Sequence, residues 1–395
     1  MTDICIVGGG IVGLATAYAI HQKAPGTRIT VLEKEHTTAL HQSGRNSGVL
    51  HTGIYYRPGS LKATTCRNGK LAMQQFCQEN GVPFEICGKV IVATDESEVP
   101  RLDSILQRGV ANGVDCHKID AKELSEIEPH ARGVAAIRVP EAGIVDYPEV
   151  CRKLAGRLTD SGNEVRFNFQ VRQIETHASS VTLRDAHDTI EADRVVNCAG
   201  LYSDHLVRLA GSQPTARIVP FRGEYYELRP EFRHLCRNLI YPVPDPMFPF
   251  LGVHFTRMID GNVECGPNAV LALAREGYDW TTMRPSELLA SLSYGGFQRL
   301  ARKHWRMGAG EVWRSLSKTA FVTALQRLIP EIRPEHVVPC RAGVRAQAVT
   351  AEGQLVDDFQ IQTTGRISHV INAPSPAATA SLQIGRHIAD EVLHL

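Results

Sequence analysis

The run DICIVGGGIVGLATAYAIHQKAPGTRITVLEKE, residues 3–35, constrains this chain more than any other stretch. Ile4–Val7 reads as a short apolar strand, Ile11–Lys23 as a helix and Arg28–Leu32 as a second strand. Between the first strand and the helix stand Gly8, Gly10 and Gly13 in the spacing G-x-G-x-x-G. The first glycine permits a tight turn, the second lets a pyrophosphate approach the backbone, and the third lets helix and strand pack closely. The helix start then offers bare N–H groups and the positive end of its dipole to the phosphates. Glu33 follows Gly13 by twenty positions, where a carboxylate accepts ribose hydroxyls and disfavours a 2′-phosphate. Strand, glycine turn, helix, strand and acid in this order define a dinucleotide site, without distinguishing NAD from FAD.

Two later segments favour FAD. ADRVVNCAGLYSDHLVRLAG (192–211) is a strand entering a helix through Ala199-Gly200, small enough to pass close to a bound dinucleotide. RISHVINAPSPAATASLQIGRHIADEV (366–392) places a helix start at Pro376, Ala377 and Ala378, whose amides suit the negative N1–C2=O edge of a reduced flavin. There is no second G-x-G-x-x-G, which argues against a reductase that binds two nucleotides. A length of 395 residues predicts two domains. The net charge of +1 argues against nucleic acid as a partner. Ten cysteines without a Cys-x-x-Cys pair predict reduced thiols, with no zinc or other metal site. The chain opens on a strand and not a basic-apolar leader, and no uncharged apolar run reaches membrane-spanning length, so the expected location is the cytoplasm.

The glycine fingerprint, together with SGRNSGVLHTGIYYRPGSLKA (43–63), PFRGEYYEL (220–228), LIYPVPDPMFPFLGVHFTRMIDG (239–261), GPNAVLA (266–272), AGVRAQAV (342–349) and NAPSPAAT (372–379), closely resembles the bacterial L-2-hydroxyglutarate dehydrogenase/oxidase family. That family sits among FAD enzymes typified by D-amino-acid, glycine and sarcosine oxidases, and the resemblance covers essentially the whole chain. It implies an α/β plus α+β fold: a Rossmann-like FAD-binding domain with an inserted antiparallel-sheet substrate domain. The FAD domain would take residues 1–85, 146–220 and 338–395; the substrate domain would take 86–145 and 221–337.

The resemblance also implies roles. FAD, held non-covalently, would lie on Gly8, Gly10, Val12, Gly13, Glu33, Lys34, Ser43, Arg45, Asn46, Ser47, Gly48, Val171, Ala199, Gly200, Gly343, Ser375, Pro376, Ala377 and Ala378. His51, where the loop leaves the cofactor for the substrate, would be the base, because oxidising an alcohol requires its hydroxyl proton to leave as the C–H bond breaks. His254 reaches the same space from a strand and is the competing base, or else orients or clamps the substrate. Arg345 would hold the α-carboxylate with its planar fork; Ala346 stands where the oxidases usually have proline. Lys62, Arg222, Arg257 and Arg341 are unranked candidates for the distal carboxylate of a small dicarboxylate, and Tyr55 and Gln347 complete the substrate set.

Residues 284–333 read as a basic helical insert, with Leu289, Leu292, Phe297 and Leu300 near helical spacing and Arg299, Arg302, Lys303, Arg306, Arg314 and Lys318 between. The expectation is an amphipathic pair covering the substrate domain. The alternative is a membrane-surface anchor on the inner membrane, handing electrons to quinone. The activity implied is oxidation of L-2-hydroxyglutarate to 2-oxoglutarate. Amino-acid or amine oxidation on the same fold, and flavin binding without turnover, are the alternatives.

Overall fold

The computed structural model describes residues 2–245 and 252–394; residues 246–251, within the run 239–261, lie outside the described residues. Asp3–Val7 pairs in parallel with Arg28–Leu32 on one side and Arg194–Asn197 on the other. Ile367–Asn372 and Glu164–Arg166 extend this into a six-stranded sheet whose edge strand, Gln360–Thr364, is antiparallel. Ile4, Ile6, Ile29, Val31 and Val196 are buried, as expected of a parallel sheet covered on both faces. The helix Ile11–Lys23 packs against the C-terminal helix Ala377–His394. Gly385 permits this approach: a Cβ there would stand 2.5 Å from the Ala15 carbonyl.

A nine-stranded sheet forms the second layer. Its long strand Arg217–Leu228 pairs antiparallel with Val263–Leu271 and with Gly343–Val349. Two details differ from the division read in the sequence. Val337–Pro339 and Gly343–Val349, placed mostly in the FAD segment beginning at 338, belong to this sheet through their pairing with Arg217–Leu228. The sheet is also mixed: Leu239–Pro242 runs parallel to Lys89–Ala93.

The insert forms helices Pro285–Leu292, Gly295–Leu316 and Lys318–Leu325, the second kinked at His304. Leu300 and Phe297 pack against Val219 and Val349. Leu289 and Leu292 do not join them: they are 67% and 46% exposed, as Trp305, Trp313 and Leu316 are 63%, 65% and 68% exposed. The break after Leu292 separates the two halves of the supposed apolar stripe, so helical spacing across it had no single face to describe. No described helix is long and apolar enough to cross a membrane.

Candidate active site

A cavity of about 850 Å³ runs from the glycine turn to the large sheet. At its first end Gly8 adopts φ +114°, and a Cβ there would meet the Cys198 carbonyl oxygen at 2.4 Å. Gly13 lies beneath the turn, where a Cβ would meet the Gly8 oxygen at 2.0 Å, so it serves close packing and does not line the cavity. Gly10 caps the helix Ile11–Lys23 without a side-chain acceptor of its own. Instead the Ile11 N–H donates to Ser43 Oγ at 2.9 Å. Glu33 accepts from the Gly9 N–H on Oε2 (2.8 Å) and the Glu35 N–H on Oε1 (3.0 Å), which fixes the carboxylate and leaves lone pairs for ribose hydroxyls. Val12, Val171, Ala199, Gly200 and Lys34 line the same end.

Lys34 is already engaged. Its ammonium contacts Glu35, stands 2.6 Å from Glu276 and 2.9 Å from His41 Nε2. Glu35, His41 and Glu276 are grouped closely enough to ligate a cation, and the lysine is the cation they surround. Glu276 and Tyr278 arrive on the segment following Val263–Leu271; Tyr278 bonds His41, and Arg45 lies 4.0 Å over its ring.

The donor-rich loop is shaped by its own hydrogen bonds. Asn46 spends its amide hydrogens on the Gln42 and Ser43 carbonyls and accepts from the Gly48 N–H. Arg45 donates to the carbonyls of Leu40 and Ala342. Ser43, Arg45, Asn46 and Ser47 line the cavity; Gly48, at φ +64°, turns the chain outside it. Ser375, Pro376, Ala377 and Ala378 border the cavity at the start of the C-terminal helix, and Gly343 lines it too. These features fit FAD: a turn closed to any Cβ at the phosphate end, a fixed acceptor at the ribose, and a helix start at the far end.

At that far end stand His51, His254 and Arg345. The His51 N–H donates to Thr379 Oγ1 at 3.1 Å, and burial, the Lys89 charge and His254 push its imidazole down to about 3. His254, 5% exposed, donates from Nδ1 to the Gly252 carbonyl at 3.0 Å, and its ring lies on Tyr241. Since a carbonyl only accepts, Nε2 is the bare nitrogen. Burial lowers His254 to about 4, with Lys89 and Arg345 acting in the same direction. Both rings are neutral at pH 7. Arg345 is exposed to the cavity that it lines, and the protein packed around that cavity pulls its guanidinium below the usual range, with Tyr225 and Tyr56 acting in the opposite direction.

Strand alternation sorts the remaining candidates. Phe221, Gly223 and Tyr225 line the cavity, whereas Arg222 faces the other way. It is fully buried, bonded to Glu224 at 2.7 Å and to the Asp279 carbonyl at 2.7 Å, beneath Trp280. Arg257 likewise alternates with His254 and pairs with Glu85 at 2.5 Å. Arg341 pairs with Glu264 at 3.3 Å and donates to the Gly44 carbonyl. These three arginines are therefore corrected: none lines the cavity. Lys62 does, bonded at 2.9 Å to Asp357, an acid 92% exposed. Gln347 lines it too, with its amide on the Ala348 and Val356 carbonyls. Tyr55 is set back from the lining, its ring against Lys89. Sequence reasoning missed Tyr225 and Tyr241, which alternation along PFRGEYYEL and LIYP would have found, and Lys89, for which a lysine opening a strand gave no signal.

This combination of Rossmann-like sheet, dinucleotide cradle and a cavity lined by two histidines and an arginine defines a flavin-dependent oxidoreductase, and residues 3–391 match the family model described as FAD dependent oxidoreductase. The chain is 48% identical to an L-2-hydroxyglutarate dehydrogenase of Indibacter alkaliphilus, covering 99% of this chain and 98% of the relative. It is 44% identical to that of Escherichia coli K12, covering 99% and 93%. The chain belongs to the L-2-hydroxyglutarate dehydrogenase family of FAD-dependent oxidoreductases. Its fold is that of the L-α-glycerophosphate oxidase of Mycoplasma pneumoniae (TM-score 0.81, 23% identity, 100% and 95% coverage) and of glycine oxidase from Geobacillus kaustophilus (TM-score 0.72, 16% identity, 100% and 95% coverage).

Proposed function

We propose that this protein oxidises L-2-hydroxyglutarate to 2-oxoglutarate. The observation that carries the reading is the placing of His51, His254 and Arg345 on the same cavity as the dinucleotide cradle, in a chain with full-length relatives of that name. The Gly8–Gly10 turn and the Ile11 helix start hold the pyrophosphate, Glu33 the ribose, and the helix start at Ala377–Ala378 the flavin edge. Retention is non-covalent: Cys198, which lines the cavity, is kept a thiol by burial. Bound FAD supplies the acceptor for the hydrogen and electron pair leaving C2.

The residues of the chain do the rest. Arg345 binds the α-carboxylate through its fork, and Lys62 turns from its exposed partner Asp357 to the distal carboxylate. His51 takes the hydroxyl proton on a ring nitrogen. Tyr225 and Tyr241 exclude water, and Tyr241 is itself held by Thr256 and Ser47. A second reading exchanges the histidines, and one observation favours it: the bond to Gly252 leaves His254 Nε2 an acceptor, unsuited to clamping a carboxylate. Anaerobic mixing with both 2-hydroxyglutarate enantiomers, glycine, sarcosine and D-amino acids tests the function. Bleaching by L-2-hydroxyglutarate alone is expected; bleaching by an amine would establish the amine oxidase instead, and no bleaching at all a binding protein.

We further infer a cytoplasmic protein seated on the inner membrane and passing electrons to quinone. Support comes from exposed Leu289, Trp305, Trp313 and Leu316 beside exposed Arg302, Lys303 and Arg306. Co-sedimentation with anionic vesicles, lost in the Trp305→Ser/Trp313→Ser variant, is expected; equal sedimentation of both proteins would reject it.

A further inference from the structure

Lys89 opens the strand Lys89–Ala93 and is 3% exposed. Its ammonium sits between two aromatic faces, 4.7 Å from the Tyr55 centroid and 4.8 Å from that of Tyr241. Aromatic faces make such burial tolerable, but they do not neutralise the charge. No described carboxylate pairs with it within salt-bridge distance, whereas Lys62 and Lys70 nearby have Asp357 and Glu141. The other titratable groups facing it are Cys66 from the helix Leu61–Asn80, His51 from the loop and His254 from the strand His254–Arg257. All are uncharged: burial pushes the Cys66 thiol up to about 12, raises both tyrosines and lowers both imidazoles. An uncompensated buried charge is costly, and its retention calls for a counter-charge that comes and goes.

Lys89 does not line the cavity; it stands one layer behind it. Tyr241 connects the two, bearing on Lys89 with one contact and on His254, stacked at 4.0 Å, with another. We propose that Lys89 is a positioning residue for the oxidation: an ammonium with no carboxylate partner among the described residues, set behind the Tyr241 ring on which His254 stacks, whose charge is balanced when an anionic substrate enters the cavity. The inference rests on the dicarboxylate reading above and adds to it a reason why a doubly negative substrate is preferred. Arg345 binds one carboxylate and Lys62 the other, and the field of Lys89 adds to the attraction for the second. The same field falls away in effect as substrate charge arrives, so the base gains proton affinity at the moment it is needed. Burial brings Lys89 itself down to about 8, so its charge is present at neutral pH and lost above that value.

The test follows flavin reduction by L-2-hydroxyglutarate in single-turnover experiments on FAD-loaded wild type, Lys89→Met and Lys89→Arg across pH. The apparent second-order rate of Lys89→Met should lose its acid limb at least about one pH unit higher than wild type. Its dissociation constant for the dicarboxylate should rise about tenfold, with little change for the monoanion 2-hydroxybutyrate. Lys89→Arg should restore both. Superimposable profiles for wild type and Lys89→Met would overturn the proposal. Should Lys89→Met fail to fold or to hold FAD, ¹⁵N-histidine titration of the wild-type and Lys89→Gln holoenzymes decides, with signals assigned by their loss in His51→Gln and His254→Gln. Ring pKa values about one unit or more higher in the Lys89→Gln holoenzyme than in wild type support the proposal, and equal values overturn it. This titration needs no turnover, so it separates failure of the Lys89 role from failure of the substrate reading, which would show as no bleaching by any 2-hydroxy acid.

Discussion

The imidazole of His254 lies on the phenol ring of Tyr241, centroids 4.0 Å apart and planes 24° from parallel, while its Nδ1 donates to the Gly252 carbonyl. Ring plane and tautomer are thus both fixed before any substrate arrives. His51 has only its backbone fixed in this way, through Thr379. The two histidines therefore bring different preparation to one cavity, and kinetics can assign their roles.

His51→Gln is expected to bind substrate but reduce flavin about 10²–10⁴-fold more slowly at every pH, with the acid limb abolished. His254→Gln should lose affinity and keep the limb. In wild type, protonation removes the base as pH falls. Because His51 is lowered to about 3 and His254 to about 4, kcat/KM should hold well below pH 6.5 and fall only as pH approaches 4. Stopped-flow traces showing the reverse division would exchange the two roles.

Arg345→Met should raise KM for L-2-hydroxyglutarate and lower kcat/KM by about two orders of magnitude or more, since losing one partner of an enclosed charge pair costs roughly 3–5 kcal/mol. The flavin spectrum should be unchanged. Near-normal kinetics would take Arg345 out of the site.

Arg222→Met separates architecture from binding. This arginine is fully buried against Glu224 and the Asp279 carbonyl, on the sheet face away from the cavity. Its loss leaves Glu224 the Asn268 amide but no cation and should cost about 3–5 kcal/mol of stability in denaturant unfolding. KM should stay within about twofold. A large KM change with unaltered stability would return Arg222 to the substrate.

Glu33→Arg replaces the ribose acceptor with a donor and also removes the acceptor for the Gly9 and Glu35 amides. FAD should be lost on gel filtration, leaving largely colourless protein. Retention of stoichiometric FAD would show that the ribose is held elsewhere.

Much of the cofactor end was legible because glycines report backbone geometry directly: Gly8 and Gly13 stand where a Cβ would strike the Cys198 and Gly8 oxygens. The substrate end was less legible. Arg222 and Phe221 are neighbours in sequence, and only the phase of the strand decides which enters the cavity; a charged residue in a promising motif does not reveal that phase. The same holds along His254–Arg257: His254 enters the cavity, while Phe255 and Arg257, two positions apart, share the opposite face of the strand. Lys89 was hidden for another reason. What makes it unusual is the lack of an acid nearby in space, and a sequence does not display that lack.

The contacts of Glu276 with Lys34, of Tyr278 with His41 and Arg45, and of Arg275 with Asp204 fasten a segment leading from the large sheet onto the dinucleotide end of the small one. Lys34, His41, Arg45 and Glu276 line the dinucleotide end of the cavity. A segment leading from the large sheet is thereby pinned against residues that line the dinucleotide end of the cavity, and release of FAD is expected to require those contacts to part. Holoenzyme should accordingly shed FAD in a slow first-order process that Glu276→Gln accelerates, measurable by trapping the released flavin; equal release rates would mean these contacts carry no weight.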